Sequence, residues 1–241
     1  EEAACFARLK RLEVFDLFDG LKGSSTLGLG RSLKHFTQLT QLDMMCFLVD
    51  ILPTLIPYIS DLTALQHIWL RNYSLNWPWS ILGSNDLQKL VSHLSVLTQL
   101  VSLYFEHLVD GGNEGCVKEL CSLISSLPHL TALRLPNNGF NPKSIAKLCG
   151  TISQLSGLTD LDLSLSTLDK GGMNALGKMV ANSSILHLEL RDITWKMGGF
   201  ETFVAQFDHW SRLLSLNLSH GDRSDTISRE NTIELASQLS K

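Results

Sequence analysis

Leu158-Thr-Asp-Leu161-Asp-Leu163 returns along the chain with its leucines in place. It is echoed by Leu130-Thr-Ala-Leu133-Arg-Leu135, by Leu100-Val-Ser-Leu103-Tyr-Phe105 and by Leu213-Leu-Ser-Leu216-Asn-Leu218. Looser copies begin at Leu9, Leu39, Leu65 and Ile185, with Val14, Met44 and Ile68 in place of other leucines. The eight starts, at 9, 39, 65, 100, 130, 158, 185 and 213, are separated by steps of 30, 26, 35, 30, 28, 27 and 28 residues. Two apolar residues flanking one polar residue are the alternation of a half-buried strand. Self-similarity at this period marks a stack of supersecondary units.

The linkers carry a second, independent pattern. Counting back 13, 10, 9 and 6 residues from a start gives Leu52, Leu55, Ile56 and Ile59, then Leu87, Leu90, Val91 and Leu94. The same count gives Val117, Leu120, Cys121 and Ile124, then Ile145, Leu148, Cys149 and Ile152, then Phe200, Phe203, Val204 and Phe207. Offsets of i, i+3, i+4 and i+7 are one face of an α-helix. Two linkers match less well, with Gly172 in one and Thr26 or Gly30 in the other. Asn141 followed by Pro142 predicts a capped helix start. Each unit therefore reads as a strand and then a helix.

The repeated L-x-x-L-x-L resembles the strand-bearing core of the leucine-rich repeat. The family's asparagine, three positions after the last core residue, is matched by Asn138; elsewhere the slot holds Leu17, Phe47, Tyr73, Leu108, Ser166, Ile193 or Gly221. Units of this length with a true helix resemble the ribonuclease-inhibitor-like subfamily, best in the unit Leu161-x-Leu163-x-x-Ser166-x-Leu168-x-x-x-Gly172-x-x-x-Leu176. The resemblance implies an α/β solenoid of about eight repeats, with a parallel concave sheet, convex helices and residues 1–241 as a single domain. One strand and one helix bury little alone, so stacking makes the core. Residues 1–8 and the tail after Ile227 read as further helices of the array rather than polar caps, so the chain is expected to be a fragment of a larger protein. The repeats also resemble those of cytosolic nucleotide-binding leucine-rich-repeat (NOD-like) receptors of innate immunity. That implies a sensing or autoinhibitory region, in contact with other domains of a longer chain. The alternative is a stand-alone regulator of another protein: a GTPase activator, an inhibitor or a bacterial effector.

Composition excludes several other classes. The chain is 44% hydrophobic and 18% charged, which is the balance of a folded protein. Its 20 basic residues are scattered and the net charge is −4, so no nucleic-acid-binding surface is expected. No membrane span is expected either: the apolar stretch from Cys46 to Ile59 is interrupted by Asp50, Pro53 and Pro57, well short of the ~20 residues required. Five cysteines, an odd number, point to reduced thiols in a cytoplasmic protein. Cys121 and Cys149 share a helix slot that is aliphatic in other units, so both read as core residues. The eight histidines show no metal-ligand spacing, and neither G-x-S-x-G nor a phosphate-binding loop occurs. No metal, no cofactor and no enzymatic activity are expected.

A protein partner would meet the strands. Side chains alternate along each strand, so the residues between the core positions face away from the helices. One row reads Glu13, Asp43, Trp69, Tyr104, Arg134, Asp162, Glu189, Asn217; the next reads Phe15, Met45, Arg71, Glu106, Pro136, Ser164, Arg191, Ser219. Trp69, Arg71, Tyr104, Glu106, Arg134, Asp162 and Glu189 are the candidate partner-binding residues, because Trp, Tyr and Arg dominate binding hot spots. The competing reading pairs the charges along the rows, Arg71 with Glu106 and Arg134 with Asp162, at ~0–1 kcal/mol each. The insert Asn76-Trp-Pro-Trp-Ser80 either marks the binding edge or turns Trp77 and Trp79 inward as a plug. Gly111-Gly-Asn-Glu-Gly115 reads as a second, flexible loop on that edge.

Overall fold

Period-2 alternation and the helical stripe between its copies become ten strands and seven helices among the described residues of the computed structural model, which are 8–15, 24–46, 48–72 and 81–219. The strands are β1 (Arg11–Phe15), β2 (Gln41–Cys46), β3 (His67–Asn72), β4 (Ser102–Glu106), β5 (Ala132–Arg134), β6 (Asp160–Asp162), β7 (Thr167–Leu168), β8 (His187–Glu189), β9 (Thr194–Trp195) and β10 (Ser215–Asn217). All but β7 and β9 form one parallel sheet in the order β1-β2-β3-β4-β5-β6-β8-β10, and each of these eight begins two residues after one of the starts. β7 and β9 form a small parallel pair of their own.

Parallel neighbours need a long crossover, and the helices supply it. They are α1 (Ser24–Leu33), α2 (Leu48–Ile59), α3 (Ser84–Leu94), α4 (Glu114–Ser126), α5 (Pro142–Ile152), α6 (Lys170–Ala181) and α7 (Gly199–Val204), each packed against the next. This arrangement is consistent with a leucine-rich-repeat-like fold. The core lies between the sheet and the helices: Leu103, Phe105, Leu133, Leu135, Leu161 and Leu163 are buried, as are the helical-stripe residues of α2, α3 and α5. Each fully buried leucine contributes about 1.5–3 kcal/mol. Cys121, expected in the core with Cys149, is only half-buried, and Phe207 has left the stripe for a short 3-10 turn, Phe207–His209.

The weakly matching linkers have a packing cause. A Cβ on Gly30 would lie 2.8 Å from the Tyr58 ring of α2, and one on Gly172 would lie 3.2 Å from Pro142 of α5. The neighbouring helix already fills the space that an apolar side chain takes in other units. In α2, Pro53 and Pro57 both face solvent while Leu52, Leu55, Ile56 and Ile59 are buried. Burial of four aliphatic side chains offsets the ~3 kcal/mol that an interior proline costs a helix.

Two regularities escape a count of leucines. Phe36, Leu62, Leu97, Leu127, Leu155 and Trp210 are buried three residues before a start, and their carbonyls accept from the start residue's N–H at 2.9–3.3 Å. His107, Asn137, Leu165 and Asp192 lie seven residues after one, all with φ between 52° and 61°. Each of these left-handed residues donates its N–H to the next turn along, to the carbonyls of Pro136, Ser164, Arg191 and Ser219. The strand ends are thus tied in series.

The asparagine slot is a buried hub. The Asn138 side chain accepts from the N–H groups of Leu108 and Val109 and donates to the carbonyls of Phe105 and Pro136. Asn72, outside that slot, donates to the His107 carbonyl at 3.1 Å. Asn141 caps α5 by accepting from Ser144 N–H, with Pro142 at the first turn. Asn113 caps α4 in the same way and Asp169 caps α6. The segment 111–115, expected to be a flexible loop, is instead a hydrogen-bonded turn running into α4, with Gly111 N–H donating to the Asn138 carbonyl. Trp77 and Trp79, the segments 1–7 and 220–241, and the side chain of Cys46 lie outside the described residues.

Candidate functional site

Strand pairing places the first of the two rows in register across the whole sheet. Glu13 pairs with Asp43, Asp43 with Trp69, Trp69 with Tyr104, Tyr104 with Arg134, Arg134 with Asp162, Asp162 with Glu189, and Glu189 with Asn217. In the second row Phe15, Met45, Arg71 and Glu106 are likewise neighbours. Partners in a parallel pair stand about 4.8 Å apart. On β3 the split is clean: Ile68, Leu70 and Asn72 are buried, and His67, Trp69 and Arg71 are half-buried on the opposite face.

The centre of this face is a depression of about 280 Å³. Trp69, Arg71, Tyr104, Arg134, Asp162 and Glu189 line it together with Arg191, which the sequence placed in the second row without singling it out. Glu106 stands at its side through Tyr104, whose hydroxyl donates to the Glu106 carboxylate at 2.8 Å. The Trp69 and Tyr104 rings meet edge to face, 6.3 Å apart at 70°, a favourable aromatic geometry. Trp69 Nε1 donates to Ser102 Oγ at 3.4 Å. Burial first, and then the hydrogen bond to Glu106, hold the Tyr104 hydroxyl well above the ordinary phenol range.

The charges do not pair along the rows. Arg71 Nη2 donates to both oxygens of Asp43, at 2.9 and 2.8 Å. Arg134 faces Asp160 at 3.8 Å. Arg191 lies 3.0 Å from Glu189 and 3.8 Å from Asp162. The contacts Arg71–Asp43 and Arg191–Asp162 share one geometry: an arginine near the end of a strand reaches diagonally over the preceding strand's middle-row aspartate. Those aspartates are correspondingly covered, Asp43 to 1% exposure and Asp162 to 3%. Asp162, expected among the solvent-facing residues, is therefore a buried support of the depression. Its carboxylate also accepts from Ser164 N–H at 2.8 Å. Burial pushes its carboxyl above the usual range, with Glu189 adding to the rise, while Ser164 and Arg191 pull against it. Stripping the arginine from a buried carboxylate leaves an uncompensated charge, which is costly in a way that an exposed pair is not.

A second depression, about 340 Å³, lies between the starts of α4 and α5 and is lined by Glu114, Asn141, Lys143, Ser144 and Lys147 among others. There Lys147 faces Glu114 at 3.7 Å. Of the histidines, His93 reaches Ser60 Oγ at 3.1 Å, and burial lowers the His107 pKa. Among the described residues no group of three or more His, Cys, Asp or Glu is placed to hold a metal ion, and no helix is long and apolar enough to cross a membrane.

No protein-family model and no curated protein matches the chain. Among solved structures, leiomodin-1 actin-binding site 2 is similar, with a TM-score of 0.48 and 10% identity over 67% of this chain and 90% of that chain.

Proposed function

We propose that the chain is a protein-binding module and that its partner docks on the face of the sheet opposite the described helices, centred on Trp69 and Tyr104. The observation that carries this reading is the depression itself. Two aromatic rings and three arginines line it at the middle of the sheet, and these are the residue types that combine large contact area with polar handles. The reading assigns the chain binding and no chemistry of its own. Cys116, Cys121 and Cys149 are free thiols, which suits the reducing, cytosolic setting that this reading proposes.

The test compares protein capture by wild type, by Tyr104→Ala with Arg134→Glu, and by Lys118→Glu with Lys178→Glu, two exposed positions on α4 and α6. Circular dichroism establishes that all three are folded. Partners held by wild type and the helix variant but lost by the sheet variant support the reading. Equal capture by all three overturns it. The finer form, a sensing or autoinhibitory region of a nucleotide-binding leucine-rich-repeat receptor, is supported only by the resemblance of the repeated strand core. Unaltered signalling by a full-length receptor carrying Trp69→Ala and Arg134→Glu would count against that form.

A further inference from the structure

We infer that the central depression receives the carboxylate of an acidic side chain, aspartate or glutamate, from the docked protein, held between Arg134 and Arg191. The inference rests on the docking reading above and specifies the chemistry at its centre.

The lining sets the sign. Three guanidiniums, those of Arg71, Arg134 and Arg191, stand against two carboxylates, those of Asp162 and Glu189. Asp162 is buried, so Glu189 is the one carboxylate of the lining that is presented to solvent. Arg71 turns inward, with Nη2 on both oxygens of the buried Asp43. The side chains of Arg134 and Arg191 remain 41% and 46% exposed. A basic side chain entering the depression would face two exposed guanidiniums and one exposed carboxylate, whereas an acidic one meets complementary charge.

Donors and acceptors point the same way. The Trp69 indole N–H is used by Ser102 and the Tyr104 hydroxyl by Glu106, so the two rings offer contact area rather than donors. The carboxylates nearby already accept within the chain: Asp160 from the Thr159 hydroxyl at 2.7 Å, Asp162 from Ser164 N–H, and Glu189 from Asn217 Nδ2 at 3.2 Å. Arg134 is the exception. Among the described residues its guanidinium makes no hydrogen bond, and the carboxylate it faces, Asp160, stands 3.8 Å away. Arg134 lies on β5 and Arg191 just beyond β8, with β6 between them. At about 4.8 Å per strand, a carboxylate lying across β6 has a planar donor fork on either side. Paired bonds from such a fork to a carboxylate are the strong form of this contact. Size agrees. Small-molecule sites run to about 300–1,000 Å³, and a hollow of about 280 Å³ suits one side chain presented by a larger partner.

The experiment titrates the chain with Gly-Ser host peptides carrying one central Glu, Gln or Lys, reading the indole N–H resonance of Trp69 by NMR. The Glu peptide is expected to shift it saturably. The Gln peptide, which differs in charge and not in shape, and the Lys peptide are expected to bind at least about tenfold more weakly. Arg134→Gln is expected to weaken the Glu peptide by a similar factor while leaving the melting temperature unchanged, since that guanidinium bonds to nothing in the chain. Equal or tighter binding of the Gln or Lys peptide, an unaltered Glu affinity in Arg134→Gln, or no shift with any peptide overturns the acidic-residue assignment. The docking face is judged separately, by whether the sheet variant loses partner capture.

Discussion

Asn138→Ala is the substitution whose cost can be worked most directly from the structure. The side chain is 4% exposed and makes four hydrogen bonds, accepting from Leu108 N–H (2.9 Å) and Val109 N–H (2.8 Å) and donating to Phe105 (2.8 Å) and Pro136 (3.1 Å) carbonyls. Alanine leaves two buried N–H groups with no acceptor. At about 1–3 kcal/mol for each orphaned group, the expected loss is ~2–6 kcal/mol before any cavity term. That is a large share of the 5–15 kcal/mol that holds an ordinary domain together. Urea unfolding followed by circular dichroism measures it, with Asn182→Ala as control: that side chain is exposed and bonds only to Lys178 of its own helix, so a change within ~0.5 kcal/mol is expected. Asn138→Asp keeps the two acceptors but sets a carboxylate against two carbonyls, so it should be unstable at neutral pH and partly rescued in acid, where the protonated group donates again. A loss below about 1 kcal/mol in Asn138→Ala, the worth of one ordinary hydrogen bond, would refute the hub.

Leu165 is 37% exposed at φ 61°, a conformation that costs a residue with a Cβ about 1–2 kcal/mol. Leu165→Asn places there the residue found at the equivalent position 137, and should raise the melting temperature by ~1–4 °C; a lowered value would mean the leucine's contacts outweigh its backbone strain. Because burial raises the Asp162 carboxyl, the native state binds more protons than the unfolded chain between the ordinary carboxylate value and the raised one, so this group's stabilisation is greatest below that window and is lost as pH rises through it. Denaturation across pH should therefore show Asp162→Asn gaining on wild type from acid towards neutral, and parallel curves would contradict the shift. Burial pushes the Cys149 thiol up to about 12 and also raises Cys116, whereas Cys121 is half-buried. Alkylation of the native protein, mapped by mass spectrometry, should label Cys121 first, with Cys149 reacting only on unfolding; early labelling of Cys149 would show that its helix opens locally.

The strand positions were open to reading from the chain alone, because alternation is local and a one-residue slip would turn every leucine outward. Eight starts placed eight strands, and equivalent residues of successive units became the lateral neighbours of the row from Glu13 to Asn217. By the same logic six of the seven residues that line the depression are neighbours in the two rows. Asn138 was visible as a match to a repeat pattern, and its four hydrogen bonds give the match a physical meaning. Arg191 was in the correct row but carried no local signal distinguishing it from other exposed arginines.

Pair identities were not legible, and neither was depth. Row spacing alone favours Arg71 with Glu106 and Arg134 with Asp162, yet a long guanidinium on one strand spans diagonally to a short carboxylate on the strand before it, while Tyr104 takes Glu106. That choice buries Asp43 and Asp162 although their positions in the alternation face away from the core. Gly30 and Gly172 likewise look like gaps in a helical stripe until Tyr58 and Pro142 of neighbouring helices are seen to fill them. Periodicity along the chain determines which face a residue takes, since that depends on backbone geometry within a few residues. Which partner it meets, and how deeply it is covered, depend on side-chain reach between units about 28 residues apart, and only the assembled sheet and helices decide that.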